Sequence, residues 1–192
     1  YSILPVFVLD PHLMAISAEK RKAFLFNGLR RLRQDLMDRG SDLLLRKGDP
    51  REVLARILTE SGAVKIFAEE DYTPYAQRRD QQVGQSLPLQ RVLGATVHHP
   101  SAVVKSDGKP YSVFTPFSKV WKALPFPSSP PDSAPRWLGD CPRLEGEPIP
   151  EGALLSGFPA SEEEANLRLA AFLRESVGTY AENRDRLDLP GT

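Results

Sequence analysis

Cysteine is nearly absent from this chain. Cys141 is the only one among 192 residues, which excludes an internal disulfide framework and a cysteine-rich zinc site. Long hydrophobic runs are missing too, and nothing approaches the ~18 consecutive apolar residues of a membrane span. Neither sign of charge is in excess: 25 Lys and Arg face 25 Asp and Glu. That balance argues against wholesale neutralisation of nucleic-acid phosphates by this segment. The Gly-rich phosphate cradles are lacking as well, with no Gly-x-Gly-x-x-Gly after a strand and no Gly-Lys-Ser/Thr loop. Ordinary dinucleotide or nucleoside-triphosphate binding therefore has no support. His98 and His99 have no third clustered ligand, and Cys141 has no histidine at helical or hairpin spacing. Neither a metal site nor a cysteine nucleophile is expected, and no catalytic residue is assigned.

What is present reads as globular: 41% hydrophobic and 26% charged residues are ordinary usage. Val6 to Leu9 closes an almost unbroken apolar run that stops at Asp10-Pro11, the pattern of a strand covered on both faces. A strand so near residue one, with no initiating Met, is read as part of a longer protein. A helix is expected over Ala18–Arg39, with Leu25, Leu29, Leu32 and Leu36 inward and Gly40 as its left-handed cap. The basic run Arg30, Arg31 and Arg33 is expected on its solvated face. Leu43–Leu45 reads as a second strand. Asp49-Pro50 then opens a helix as N-cap and first residue, ending before Gly62. Val64–Ala68 reads as a third strand, Thr73-Pro74 opens a helix to about Gln85, and Ala95–His98 reads as a fourth strand. This alternation predicts an α/β fold, a doubly wound parallel sheet with helices on both faces. Asp107-Gly108 marks a turn, and a short helix is expected over Phe117–Leu124.

Proline is uneven. Nine of the 18 prolines fall between Pro125 and Ala160, where no apolar period survives, so this stretch is expected to be a linker or a long surface connection. Ser161 and Glu164 then form a capping box. Short helices follow to Gly178 and over Thr179–Leu187, too few to bury a core alone. The expected organisation is an α/β domain over 1–124 lacking its first strand, a Pro-rich linker over 125–160, and the start of a truncated all-α domain over 161–192.

In an open parallel sheet, ligands bind beyond the carboxyl ends of the strands. Those ends carry Asp10, Asp49 and Glu70-Asp71. Asp49 is best explained as a helix cap. For Asp10 and Asp71, capping and ligand binding are equally supported by composition, and Arg21 is near enough in sequence to pair with one of them.

Several stretches, in order, resemble the amino-terminal part of the DNA photolyase and cryptochrome family. They are Val6 to Pro11, Arg21 to Leu25, Gly48-Asp49-Pro50, and Asp71 to Asp80 with its Arg79-Asp80 ending. Pro110 to Phe117 with Lys119 and Trp121 follows, then Tyr180 to Asp185 with Gly191-Thr192. The resemblance implies a light-dependent repair flavoenzyme, a deoxyribodipyrimidine photolyase, in which an antenna chromophore passes excitation to reduced FAD. The electron then goes to a pyrimidine dimer flipped out of the duplex. The alternative it implies is a cryptochrome photoreceptor without repair activity.

Carried over by position, Tyr180 and Thr192 would contact FAD, most of whose site lies in a missing helical domain. Asp10, Arg21 and Asp71 would contact the antenna chromophore, with Val8, Leu9 and Tyr75 as apolar walls. Tyr75-Ala76 stands where the folate-using branch has Asn-Glu, which favours a deazaflavin or flavin antenna over folate. The expected protein is a cytoplasmic monomer without a membrane partner, which meets damaged DNA through the missing helical domain. The chain by itself is expected to be inactive.

Overall fold

The computed structural model describes residues 2–94, 96–128, 144–153 and 157–189. In chain order its elements are β1 (Val6–Leu9), α1 (Pro11–Ile16), α2 (Glu19–Asp38), β2 (Leu44–Lys47), α3 (Pro50–Ser61) and β3 (Ile66–Glu69). They continue as α4 (Pro74–Ser86), β4 (Leu89–Val92), α5 (Phe114–Ala123), α6 (Glu162–Glu175) and α7 (Tyr180–Asn183). The α/β class and the parallel sense of the strands are as expected. The strands pair as two parallel ladders, β1 with β2 and β3 with β4. Two compact units divide the chain: Tyr1–Gly48 with Trp137–Thr192, and Asp49–Arg136. No helix among the described residues is long and apolar enough to cross a membrane.

In the first unit the ladder runs from Val6 opposite Leu44 to Leu9 opposite Lys47. Joining parallel strands requires a crossover, and α1 and α2 provide it. The sequence reading missed α1. Asp10-Pro11 does more than end β1: Asp10 accepts the His12 N–H at 2.9 Å and Pro11 takes the first helical position, where its missing N–H costs nothing. At the far end of α2, Gly40 (φ 78°) lets Ser41 N–H return to the Leu36 carbonyl and Gly40 N–H to that of Met37. This is the cap expected of a left-handed glycine.

The core of this unit gathers Leu9, Phe26, Leu29, Leu36, Leu43 and Leu45, with Phe7, Met14, Leu25 and Ile149 against it. The inward line of α2 is therefore Ala23, Phe26, Leu29 and Leu36. Leu32, expected inside, is 45% exposed, because the face turned to β1 and β2 is rotated from the leucine repeat. Leu9, expected as a pocket wall, is 3% exposed and belongs to this core. The arginines are not a bare solvated face either. Arg33 forks onto Asp42 at 2.6 and 2.8 Å, and Arg30 donates to Asn27 Oδ1 and to the Pro150 carbonyl.

Residues 144–153, within the proline-rich stretch, lie along this same unit. Glu147 N–H donates to the Leu45 carbonyl at 2.8 Å and Lys47 N–H to Glu147 Oε1 at 3.1 Å, while Asn27 donates to the Ala153 carbonyl. The strap thus occupies backbone groups on β2 that an open strand edge would expose. Gly152 permits its closest approach: a Cβ there would stand 3.2 Å from Ala23 Cα.

In the second unit, Asp49 accepts the N–H groups of Arg51 and Glu52 and Pro50 starts α3, which buries Val53 and Ile57. Strand β3 pairs with β4 from Ile66 opposite Leu89 to Glu69 opposite Val92. The fourth strand lies at Leu89–Val92, and residues 96–98 are bends. This corrects the expectation of Ala95–His98. Only Leu89 of β4 is shielded, the rest of the strand being exposed, so periodicity could not find it. Val104 and Pro110 form an antiparallel bridge around Gly108 (φ 77°), the expected turn. Back in the first unit, Ser161 Oγ accepts the Glu164 N–H at 3.1 Å and opens α6, the serine half of the expected capping box, while Glu164 Oε1 takes Arg168 Nε at 2.7 Å.

Leu45 is 2% exposed and Leu32 45%, so the two leucines separate core from surface. Leu45→Ala is expected to cost about 2–5 kcal/mol in denaturant unfolding, and Leu32→Ala about 1 kcal/mol or less. Equal losses at the two positions would contradict the observed rotation of α2.

Candidate functional site at the carboxyl end of β3

A concavity of the second unit lies just beyond β3. A groove of about 700 Å³ is lined by Glu69, Glu70, Asp71, Tyr72, Thr73 and Arg79. Its floor is made by local chain chemistry. Asp71 Oδ1 accepts the Thr73 N–H at 2.8 Å, and Thr73 Oγ1 accepts the Ala76 N–H at 3.4 Å to cap α4. Asp71 is therefore both a turn-former and an exposed carboxylate at the rim. The Thr73 N–H and then its hydroxyl hold the Asp71 carboxyl below the usual carboxylate range, with Arg79 adding a smaller electrostatic pull.

Glu70 is already engaged. Tyr72 Oη donates to its Oε2 at 2.9 Å, and His99 Nε2 lies 3.1 Å from the same oxygen. The His99 ring meets Tyr72 edge-on at 5.8 Å, while its Nδ1 accepts the Ser101 N–H and pairs with Ser101 Oγ at 2.6 Å. Partial burial, then the bond to Glu70, push the Tyr72 hydroxyl above its ordinary pKa, so it remains a donor. Arg79 enters the groove from α4, its Nε 2.7 Å from Oδ1 of the buried Asp80. The lining is thus acidic, with one guanidinium and one phenol ring among its members. Among the described residues no group of His, Cys, Asp and Glu has the arrangement of a metal site.

The residues singled out by sequence fall in both units. Asp71 is at this groove. Asp10 is 5% exposed at the end of β1 and serves as the cap of α1. Arg21 lies exposed in the first turns of α2. Tyr180 heads α7, 47% exposed, with its ring edge-on to Phe172 at 5.8 Å. Thr192 and Cys141 are outside the described residues. Sequence reading missed Tyr72, Arg79 and His99 as members of a polar network. The signal available for the first two was an acidic strand tip followed by a Tyr and, seven residues later, an Arg. For His99 there was none, since only folding brings it to Glu70. His98 turns elsewhere, meeting Trp121 at 5.0 Å and Phe126 at 6.2 Å between ring centres.

The family model of DNA photolyase matches residues 1–135, which is most of the chain. The chain belongs to the DNA photolyase family. Two relatives place it further. It is 34% identical to an uncharacterized 31.6 kDa protein of Synechococcus sp. (strain PCC 6716), covering all of this chain and 72% of that one. It is 32% identical to the deoxyribodipyrimidine photo-lyase of Thermus thermophilus, over 98% of this chain and 43% of the enzyme. This photolyase-family chain thus spans less than half the length of that enzyme. Its fold is also that of a bacterial class III photolyase crystal structure from Agrobacterium tumefaciens, with a TM-score of 0.79 at 24% identity, covering 100% of this chain and 43% of that one.

The bonds from Thr73 set a pH test. Because folding lowers the Asp71 pKa, its contribution to stability is present above the unfolded carboxylate value and is lost as pH falls through the lowered one. In carboxyl-carbon NMR titrations Asp71 is expected to titrate below ordinary aspartates. Thr73→Ala, which removes the hydroxyl donor and keeps the N–H, should move it part of the way back. A midpoint unmoved by that substitution would show that the hydroxyl contributes nothing.

Proposed function

We propose that this chain is the antenna-bearing part, with the start of the FAD-binding domain, of a light-dependent DNA repair flavoenzyme acting on pyrimidine dimers. The observation that carries the reading is the extent of the likeness. The family match covers 1–135, and similarity to the Thermus photo-lyase continues over 98% of the chain. The division into an α/β domain over 1–124, a linker over 125–160, and the start of a helical domain from 161 belongs to the same proposal.

The groove suits a pigment. Sites of ~300–1,000 Å³ with an apolar wall and a few placed polar groups are typical for ring ligands, and the groove has the Tyr72 ring, Asp71 and Arg79. We assign Asp71 at this groove to the antenna chromophore, carry Asp10 and Arg21 of the other unit as antenna contacts on the family resemblance alone, and favour a deazaflavin or flavin over a folate. Tyr180 and Thr192 are assigned to FAD from the family resemblance. When bound, reduced FAD supplies the electron that opens the dimer, and the antenna supplies excitation. The work of the chain's own residues is to bind, orient and shield these groups. The protein acts on damaged DNA as a cytoplasmic monomer.

The complete reading frame, purified and illuminated with a dimer-containing oligonucleotide, is expected to restore intact pyrimidines in light and not in darkness. A flavin-loaded protein that responds to light without repairing DNA would select the cryptochrome-type photoreceptor instead. The 192-residue chain alone is expected to retain no stoichiometric FAD after gel filtration, judged by absorbance. In the full-length protein, Asp71→Ala should remove the antenna band from the spectrum while leaving bound FAD in place, and an unchanged spectrum would refute that assignment.

A further inference from the structure

The residue that the proposed site does not yet explain is Asp80. It sits on α4 at 6% exposure. One carboxylate oxygen takes Arg79 Nε at 2.7 Å, and the other, Oδ2, is buried with no hydrogen-bond partner among the described residues. A buried charge with a half-satisfied carboxylate is a cost that an apolar side chain would avoid. Neighbouring residues on a helix do not normally face each other, so the Arg79 side chain has to fold back to make this pair. That bend fixes where the rest of the guanidinium points. Arg79 keeps 27% of its side chain accessible and is the one cation among the residues lining the groove.

We propose that Asp80 is a positioning residue: its buried carboxylate aims the Arg79 guanidinium into the groove beyond β3, so that Arg79 and Asp71 together read the imide edge of a ring ligand. The proposal rests on the reading of this groove as a pigment site and names the part of the pigment that is recognised. The chemistry follows from the lining. Nε is committed to Asp80, which leaves the outer N–H groups of Arg79 to donate to an acceptor on the ligand. A phosphate or carboxylate ligand is disfavoured there, because Glu69, Glu70 and Asp71 crowd the same rim. Glu70 is occupied by Tyr72 and His99, which leaves Glu69 and Asp71 as rim carboxylates, and Asp71, held in place by the Thr73 N–H, is the pre-oriented acceptor for a ligand donor. A neutral edge with an N–H beside a carbonyl satisfies both groups: the carbonyl accepts from Arg79 and the N–H donates to Asp71. Fixing the guanidinium in advance reduces the ordering cost when the ligand arrives.

The test uses the full-length protein saturated with FAD and two small probes in equilibrium dialysis: lumiflavin, whose ring carries a free imide N–H, and 3-methyllumiflavin, in which that N–H is blocked. Wild-type protein is expected to prefer lumiflavin. Asp80→Leu and Arg79→Lys should each weaken lumiflavin and 3-methyllumiflavin about tenfold or more, the scale of one charge-assisted hydrogen bond, because both probes keep the carbonyl that Arg79 meets, while Asp71→Ala should erase the preference for lumiflavin. The thermal midpoint of Asp80→Leu should not fall, since the substitution removes an unsatisfied buried carboxylate. Weakening in Asp80→Leu that Arg79→Lys does not share, or that adds to it in the double variant, would reduce Asp80 to a structural role, and unchanged lumiflavin binding in Asp80→Leu would overturn the proposal while the pigment reading stands. If wild-type protein takes up neither probe, the pigment reading fails and the imide assignment with it. The aim of Arg79 is then decided by ¹⁵N NMR: a slowly exchanging Arg79 Nε–H that becomes fast in Asp80→Leu supports the positioning, and equal exchange in both refutes it.

Discussion

Parallel pairing is the constraint on which the rest depends. Two parallel strands cannot be joined by a tight turn, so each strand must hand the chain to a helix before it can return. In both ladders the handover happens at the carboxyl end of the leading strand: Asp10 after β1 and Asp71 to Thr73 after β3. Turn and cap chemistry require short side chains with acceptor oxygens there. Those side chains also leave carboxylates at the place where an open α/β fold presents its ligand sites. The acids at the strand tips are therefore structural first, and their availability to a ligand follows from the same placement.

That double duty separates the two aspartates. Asp10 is enclosed and holds the first turn of α1. Asp71 spends one oxygen on the Thr73 N–H and remains exposed at the groove rim. The same competition appears one step along α4, where the charge of Arg79 is shared between the buried Asp80 and the groove. A lining of three carboxylates and one guanidinium favours a ligand that both donates and accepts, which is the character of a heterocyclic pigment edge and not of a phosphate.

The first unit shows how a proline-rich segment can be ordered without forming an element. Residues 144–153 contribute no helix or strand, yet Glu147, Pro150 and Ala153 all exchange hydrogen bonds with β2 or α2. Gly152 fits where a side chain would press on the α2 backbone. Arg30 thereby gains a partner far along the chain, which is why a basic run that resembles a solvated face is partly committed.

Whatever is decided within a few residues was legible in the sequence. The caps at Asp49, Thr73 and Ser161 and the glycine end of α2 depend on hydrogen bonds that span one turn, and the alternation of strands and helices is written in local hydrophobic pattern. Even the short α1 carries an Asp-Pro signature, which both ends β1 and starts the helix. Only the tertiary structure decided the rest, because the deciding partner is distant in sequence. The position of β4 follows from its register with β3, and the buried line of α2 follows from the strands beneath it. The pairing of Glu70 with His99 and the docking of the strap are likewise decided by distant partners. The depth of Asp80 belongs here too, since composition states that an aspartate is present and only packing determines that it is shut away from water.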